Sequence, residues 1–279
     1  MDIGSAKPTV EERRGIPHHM LDCVPIDTPE FSVSQYRKMA SEAIEDILER
    51  GKTPIVVGGS GLYVNALTFP LGFAVPKDEE ARKRMEALYD LDANAAFARL
   101  ALIDPEIASR LHPNDRKRVV RALEVFECSG KPLSSYGNDF QNTACGSAPF
   151  DPLLFGLDMD RELLYRRIDQ RVDLMIEHGL LAEARNIYDR GYSRSLPAMQ
   201  SIGYRQLFEV FDGKSTLEHA VEQIKLDTRH FAKRQLTWFR RDKRIRWSDA
   251  SDFETIKEEL TQRSADLTMR WMDEKELFE

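Results

Sequence analysis

Apolar residues recur at close to helical spacing between Leu217 and Phe239, and this pattern predicts one long amphipathic helix. Ser215, with Glu218 three residues later, forms a capping-box pattern that predicts where the helix begins. The apolar face consists of Leu217, Val221, Ile224, Thr228, Phe231, Leu236 and Phe239. We interpret the rest of the chain around this helix, because it is the longest element that the pattern predicts.

Shorter segments predict an alternation of strands and helices. Segment 36–48 has helical spacing, follows a capping-box pattern at Ser32 and ends before Gly51. Short apolar runs predict strands at 18–24, 53–57, 152–157 and 245–247. A strand, a helix and a strand in succession favour a parallel pair joined by a right-handed crossover.

The middle of the chain differs from both halves. Every segment from 78 to about 128 has a helical pattern, whereas the flanking segments include predicted strands. The sequence therefore predicts an α/β fold with a parallel sheet, interrupted by an all-helical insertion domain. The predicted core comprises residues 1–75 and 148–279, and the predicted insertion comprises residues 76–147.

Composition excludes several classes of protein. The chain has 279 residues, 42% hydrophobic and 31% charged, with a net charge of −7. No apolar run approaches the roughly 20 residues of a membrane helix. Cys23, Cys128 and Cys145 lie far apart without a C-x-x-C motif, so neither a disulfide scaffold nor a zinc site is indicated. We expect a cytoplasmic globular protein without a metal-ligand cluster.

The end of the long helix changes this picture. Residues 229–247 contain eight Lys and Arg against the single acid Asp242, a local net charge of +7 in an acidic protein. Such a concentration of cations is typical of a phosphate-binding surface. Phe231, Trp238, Phe239 and Trp247 are interleaved with the cations, and aromatic faces stack on unpaired bases. The alternative is a core helix with one solvated basic face.

Two further features favour phosphate chemistry. The turn Gly58–Gly61 follows the predicted strand 53–57 and precedes a helix, where α/β folds place ligands. Arg167 and Arg171 lie four residues apart on a predicted helix and share a face, which favours a diphosphate clamp. The alternatives are a tight turn without a ligand, and arginines that pair with Asp169 or Asp173.

A phosphate-binding loop of the G-x-x-x-x-G-K-[ST] type is not found. Gly51-Lys52-Thr53 and Gly213-Lys214-Ser215 have the right ending, but Asp46 and Phe208 stand where the first glycine belongs. The residues alone therefore indicate phosphate and nucleic-acid surfaces without a chemical centre.

Several long motifs together resemble one family, the tRNA dimethylallyltransferases, also called tRNA isopentenylpyrophosphate transferases. They occur in the family's order over nearly the whole chain. The motifs are MDIGSAKPT at 1–9, GIPHHMLD at 15–22, PIVVGGSGLYVNAL at 54–67, HPNDRKRVVRALEV at 112–125, LYRRIDQRVDLM at 164–175, QSIGYRQL at 200–207 and AKRQLTWFRRDKRIRW at 232–247.

The resemblance implies a fold and a reaction. The fold is a P-loop-NTPase-like parallel-sheet core with a helical insertion that grips the anticodon stem of tRNA. The reaction transfers a dimethylallyl group from dimethylallyl diphosphate to N6 of the adenosine 3′ of the anticodon, at position 37. The base flips into a channel, and Mg²⁺ and arginines stabilise the leaving diphosphate. We expect a monomer that does not bind membranes.

The resemblance also implies roles for individual residues. Arg171 matches the arginine that binds the diphosphate and is the catalytic candidate. Ser60, at a position usually occupied by Thr, contacts the tRNA near the flipped adenine, and Arg82 contacts it from the insertion. The remaining tRNA contacts are Lys117, Arg118, Val119, Val120, Arg121, Gln200, Ser201, Ile202, Gly203, Tyr204, Arg205, Lys233, Arg234, Gln235, Leu236, Thr237, Trp238, Phe239 and Arg240.

One departure from the family limits these implications. Family members have a strand, a P-loop, a helix and a second strand with a general-base Asp before the MDIG-type motif, whereas here MDIG is at the start. The cofactor-binding loop, the Mg²⁺-binding hydroxyl and the base are then missing, so we expect an N-terminally truncated, inactive form. The alternatives are a tRNA- or RNA-binding module without catalysis and, less consistent with the basic aromatic helix, a small-molecule kinase.

Overall fold

The computed structural model describes residues 1–69, 78–136, 150, 152–252 and 254–262. The chain divides into two compact units, one of Met1–Leu67 with Pro152–Glu279 and one of Thr68–Asp151. The predicted domain limits at 75/76 and 147/148 lie outside the described residues. Among the described residues, no helix is both long and apolar enough to cross a membrane.

The first unit is mainly helical. Its helices are α1 Val33–Glu49, α2 Gly61–Thr68, α7 Arg161–Glu177, α8 Leu180–Asp189, α9 Tyr204–Phe211 and α10 Leu217–Phe239, with a 3₁₀ turn at Pro197–Gln200 and further helical residues at 254–262. The capping box at Ser32 is confirmed, because its side chain accepts from the Gln35 N–H. The predicted cap at Ser215 is wrong by one residue, since Thr216 accepts from the His219 N–H.

The core of the first unit lies where α7, α8, α9 and α10 meet. It is built from Val172, Leu180, Ala184, Ile187, Met199, Tyr204, Leu207, Phe208, Ala220 and Ile224. The predicted inner face of α10 is confirmed at Ile224, which is buried, and at Leu217 and Val221, which pack against the core. The long helix is therefore held by its first half, and its second half extends beyond the main cluster.

The sheet has two parallel strands in the described residues, β1 Phe155–Asp158 and β2 Arg246–Asp249, with Phe155 opposite Arg246. Both strands were predicted. The predicted strands 18–24 and 53–57 are wrong in this structure, because these residues adopt no regular structure. A strand needs a neighbour to satisfy its peptide groups. Without one, Ile55 and Val57 stay 74% and 88% exposed.

The second unit is all-helical in its described part, as the periodicity predicted. It contains α3 Glu79–Leu91, α4 Ala93–Ile103, α5 Pro105–Ala108, α6 Arg116–Ser129 and a 3₁₀ turn at Leu133–Tyr136. Its core consists of Met85, Tyr89, Ala96, Leu100, Ala108, Val119, Val120, Ala122 and Leu123. Gly130 ends α6 in the left-handed conformation, which glycine adopts without strain.

Candidate nucleic-acid and diphosphate site

The second half of α10 presents cations to solvent. Lys233, Arg234, Thr237 and Arg241 are exposed and follow one another at helical spacing. In the part of the chain that the structure describes, Lys233, Arg234, Arg241 and Lys243 form no ion pair with a carboxylate. The guanidinium carbon of Arg234 lies 5.9 Å from the ring centroid of the exposed Phe231. This face combines unneutralised cations with an aromatic ring, as a phosphate- and base-binding surface requires.

The other four cations of the basic stretch have structural partners. Arg229 pairs with Asp169 at 2.8 Å, Arg240 with Asp158 at 3.1 Å, Arg244 with Asp242 at 2.7 Å and Arg246 with Glu259 at 3.7 Å. Half of the local positive charge therefore fixes α10 and β2 in the fold. The sequence count of eight cations overstated the surface that is open to an anion.

The inner side of the same half helix contacts the glycine turn. Gln235 Nε2 donates a 2.8 Å hydrogen bond to the Gly59 carbonyl, and a Cβ on Gly61 would overlap the Trp238 ring. Leu236 and Phe239 are half-buried. Trp238 packs on Gly61 and Trp247 packs on Gly156. Both indoles are half-buried, and their stacking on bases stays a prediction.

Ser60 lies in this turn, at the start of α2. Its side chain is exposed, and its carbonyl accepts the Tyr63 and Val64 N–H groups at 2.9 and 3.0 Å. Tyr63 stacks on Tyr36 of α1 with the ring centroids 4.0 Å apart. Because Gly59 contacts Gln235 and Gly61 contacts Trp238, the structure brings Ser60 next to both side chains of α10.

Arg171 and Arg167 are exposed on α7. The alternative that they pair with Asp169 or Asp173 is wrong, because both acids form ion pairs with α10. Arg229 binds Asp169 and Lys225 binds Asp173, each at 2.8 Å. Residues two apart on a helix point in different directions. The two arginines have no carboxylate partner among the described residues, and are open to an anionic ligand.

The stretch 200–205 has mainly structural contacts. Gln200 Nε2 donates to the Arg194 carbonyl at 2.5 Å, Ser201 and Ile202 are half-buried, and Gly203 and Tyr204 are buried. Side-chain contact of tRNA with Tyr204 is therefore not possible in this structure. Arg205 is exposed but pairs with Asp227 of α10.

Two acids that carry no sequence signal organise this region. Glu183 of α8 accepts the Tyr204 hydroxyl and the N–H groups of Asp2 at 2.7 Å, Ile3 at 3.1 Å and Gly4 at 3.3 Å. Burial acts to raise the pKa of Glu183, but these hydrogen bonds lower it below 4.5. Burial and the hydrogen bond to Glu183 raise the pKa of Tyr204.

Asp227 is the second of these acids. It accepts from Arg205, from Gln206 at 2.8 Å and from Gln223 at 3.0 Å. Burial acts to raise the pKa of Asp227, but these donors lower it below its ordinary value. The carboxylate thereby joins the 200–206 motif to the basic helix.

Acid stability tests the role of Glu183. Because the folded pKa is below the reference 4.5, its contacts contribute stability above that pH, and the contribution is lost as the pH falls through the folded pKa. In Glu183→Gln we expect lower stability at pH 7 and a smaller further loss between about pH 6 and pH 3. Urea unfolding at several pH values measures both. Glu209→Gln, at an exposed position of α9, is the control, and equal pH slopes in wild type and Glu183→Gln would contradict this role.

The residues of the helical unit that were predicted to contact tRNA are partly exposed and partly buried or paired with acids. Lys117 and Arg118 are exposed, with Arg118 3.4 Å from Asp115. Val119 and Val120 are fully buried, so their predicted side-chain contact with tRNA is wrong in this structure. Arg121 and Arg82 bind the fully buried Glu124 at 2.7 and 3.5 Å, and Arg82 also binds Glu86 at 3.2 Å.

The described residues contain no group of three or more His, Cys, Asp or Glu side chains that could hold a metal ion.

Comparison with known proteins identifies the family of the chain. Residues 1–242 match the family model described as IPP transferase. The chain is 47% identical over 264 residues to the tRNA dimethylallyltransferase of Pelotomaculum thermopropionicum. The aligned region covers 93% of this chain and 82% of that protein. This chain belongs to the tRNA dimethylallyltransferase family. The tRNA dimethylallyltransferase of Geobacillus thermodenitrificans is 44% identical over 254 residues, covering 90% and 79%.

Solved structures of tRNA dimethylallyltransferases agree with this assignment. The tRNA isopentenylpyrophosphate transferase of Bacillus halodurans superposes with a TM-score of 0.66 at 38% identity, covering 99% of this chain and 86% of that one. A eukaryotic dimethylallyltransferase acting on tRNA gives a TM-score of 0.74 at 30% identity, covering 98% and 69%. The family predicted from the motifs is confirmed, and the chain is classed with prenyltransferases of tRNA modification.

Proposed function

We propose that this chain transfers a dimethylallyl group from dimethylallyl diphosphate to N6 of the adenosine 3′ of the tRNA anticodon, at position 37. One observation carries the proposal beyond family membership. Lys225 and Arg229 of α10 neutralise Asp173 and Asp169, which leaves Arg171 and Arg167 of α7 open to a diphosphate. The same helix presents Lys233 and Arg234 on its other half.

Under this proposal, different residues bind the diphosphate, the RNA phosphates and the target base. Arg171, with Arg167, binds the diphosphate, and the two guanidiniums stabilise the negative charge that grows on the leaving group. Lys233, Arg234 and Arg241 hold RNA phosphates. Ser60 faces the flipped adenine, and Lys117 and Arg118 are the exposed RNA contacts of the helical unit. Mg²⁺ remains a prediction from the resemblance.

The finer statements about architecture are part of the same proposal. We infer that the helical unit is an insertion into a P-loop-NTPase-like core, that it binds the anticodon stem, and that the protein is a cytoplasmic monomer. Transfer of a labelled prenyl group to an anticodon stem-loop, followed by mass spectrometry, measures activity directly.

The diphosphate half of the proposal is tested by Arg171→Ala. We expect this variant to bind dimethylallyl diphosphate roughly tenfold or more weakly than wild type, because it loses a charge-assisted pair of hydrogen bonds. Isothermal titration of the full chain, with inorganic pyrophosphate as a second ligand, measures the change. Arg166→Ala removes the same charge from an exposed neighbour on the same helix and is expected to leave affinity nearly unchanged. Equal losses in the two variants would contradict a specific role of Arg171.

A further inference from the structure

The glycine turn Gly58–Gly61 packs against α10 at two points. On one side the Gln235 amide donates to the Gly59 carbonyl at 2.8 Å. On the other side the indole of Trp238 covers Gly61. Gln235 and Trp238 are three residues apart and therefore lie on the same face of the helix.

A side chain at either glycine would displace a side chain of α10. A Cβ on Gly59 would overlap Gln235 Nε2, and a Cβ on Gly61 would overlap the indole of Trp238. Gly58 has open space where its Cβ would be. The turn is therefore shaped by α10 at Gly59 and Gly61, between which Ser60 is exposed.

We propose that Gln235 and Trp238 are positioning residues, which hold the turn so that Ser60 is presented in one fixed orientation. The second half of α10 then has two functions on two faces. Its outer face, with Lys233, Arg234 and Arg241, binds the RNA backbone, and its inner face sets the shape of the turn beside the target base. The part concerning RNA rests on the proposed function, whereas the positioning of the turn does not.

The consequence is a coupling between two contacts with one RNA. Lys233 and Arg234 stand on the same continuous helix as Gln235 and Trp238, so one element positions both the phosphate-binding face and the turn. If Gln235 only filled space, removing its amide donor while keeping the length of its side chain would leave the turn unchanged. The hydrogen bond and the packing can be removed separately, since Gln235 supplies the first and Trp238 the second.

Amide hydrogen exchange of the full chain tests the positioning without any ligand. Gln235→Met keeps a side chain of similar length but removes the donor. We expect exchange in the peptide covering residues 61–68 to become roughly three- to tenfold faster. The Tyr63 and Val64 N–H groups of this peptide bond to the Ser60 carbonyl, and the turn that supplies this carbonyl loses one of its hydrogen bonds. Gly59→Ala displaces the amide from the other side and is expected to give the same increase, with no further increase in the double variant. Arg234→Ala, on the outer face, is the matched control and should leave this peptide unchanged.

RNA binding supplies the functional readout. We expect wild type to prefer an anticodon stem-loop with adenosine 3′ of the anticodon over one with uridine there, roughly tenfold or more. Gln235→Met should lose most of this preference and keep the wild-type salt dependence, whereas Arg234→Ala should keep the preference and flatten the salt dependence.

Each outcome decides a different statement. Unchanged exchange in both Gln235→Met and Gly59→Ala would overturn the positioning role, whatever the RNA result. Faster exchange with an intact adenosine preference would overturn its link to base recognition. Exchange could also be faster in the two variants while wild type itself shows no adenosine preference. That result would support the positioning role and contradict the proposed function instead.

Discussion

Replacing Arg82 and Arg121 together by methionine is expected to lower the free energy of unfolding of the helical unit by about 3–5 kcal/mol. Both arginines bind Glu124, which is 0% exposed. Methionine keeps much of the apolar stem of arginine but leaves the carboxylate buried without a cation. An unpaired buried charge is among the most destabilising changes that a single site can undergo.

The rescue variant makes this prediction specific. Adding Glu124→Leu to the double variant removes the buried charge and should restore most of the lost stability. Urea denaturation followed by circular dichroism measures all three proteins. Arg84→Met with Arg99→Met is the control, because these arginines contact the partly exposed Glu127 at 3.7 and 3.4 Å and exposed pairs contribute about 0–1 kcal/mol. If the Arg82 and Arg121 variant has wild-type stability and only its RNA affinity falls, the two arginines act as RNA contacts alone.

Helix periodicity predicted the helical elements well. The apolar spacing of 217–239 corresponds to α10, and the helical pattern of 78–128 corresponds to α3, α4, α5 and α6. Helices form their hydrogen bonds locally, so a local pattern suffices to predict them. The shift of the N-cap from Ser215 to Thr216 shows the limit of this signal, since both residues have a hydroxyl that can cap a helix.

Strands depend on partners elsewhere in the chain, and here the sequence was less informative. The runs 152–157 and 245–247 correspond to β1 and β2, which pair with each other. The run 53–57 has an equally apolar pattern but has no paired neighbour in the described residues. A pattern of side chains indicates that a segment is suited to a sheet, and does not show which strand satisfies its backbone.

The candidate site was predictable in its charges but not in their pairing. The basic stretch 229–247 is evident from its residue types alone. Asp158, Asp169 and Glu259, which neutralise Arg240, Arg229 and Arg246, lie far away or in other elements. The pairing of these residues required the fold. Their identity decides which four cations remain open to an anion.

Glu124, Glu183 and Asp227 each bind several partners, but the sequence analysis did not find them. An acid in solvent and an acid in a hydrogen-bond network cannot be distinguished by sequence alone. Glu124 offered the only local signal of the three. It stands between Leu123 and Val125, in a run that is buried from Ala122 to Val125, and an acid inside such a run indicates a buried pair. Arg82 and Arg121 bind this acid, and their contact with RNA stays a prediction.

We expect the outer face of α10 to bind tRNA phosphates, and replacement of its cations tests this directly. In the triple variant Lys233→Ala, Arg234→Ala and Arg241→Ala, each lost phosphate contact releases one fewer condensed counterion. We expect RNA affinity to fall and the slope of log K against log salt to flatten by roughly two to three units. Because none of the three residues pairs with a carboxylate in the described part of the chain, the fold should be unchanged.

A charge-matched control separates this claim from the effect of net charge. Lys38, Arg50 and Lys257 each pair with an acid three or four residues away in the sequence. Their triple replacement by alanine lowers the net charge by the same amount. The deciding measurement is fluorescence anisotropy of a labelled anticodon stem-loop, titrated with wild type, the α10 variant and the control at several salt concentrations. We expect a flattened slope for the α10 variant alone. Equal slopes for all three folded proteins would show that the outer face of α10 does not bind tRNA phosphates.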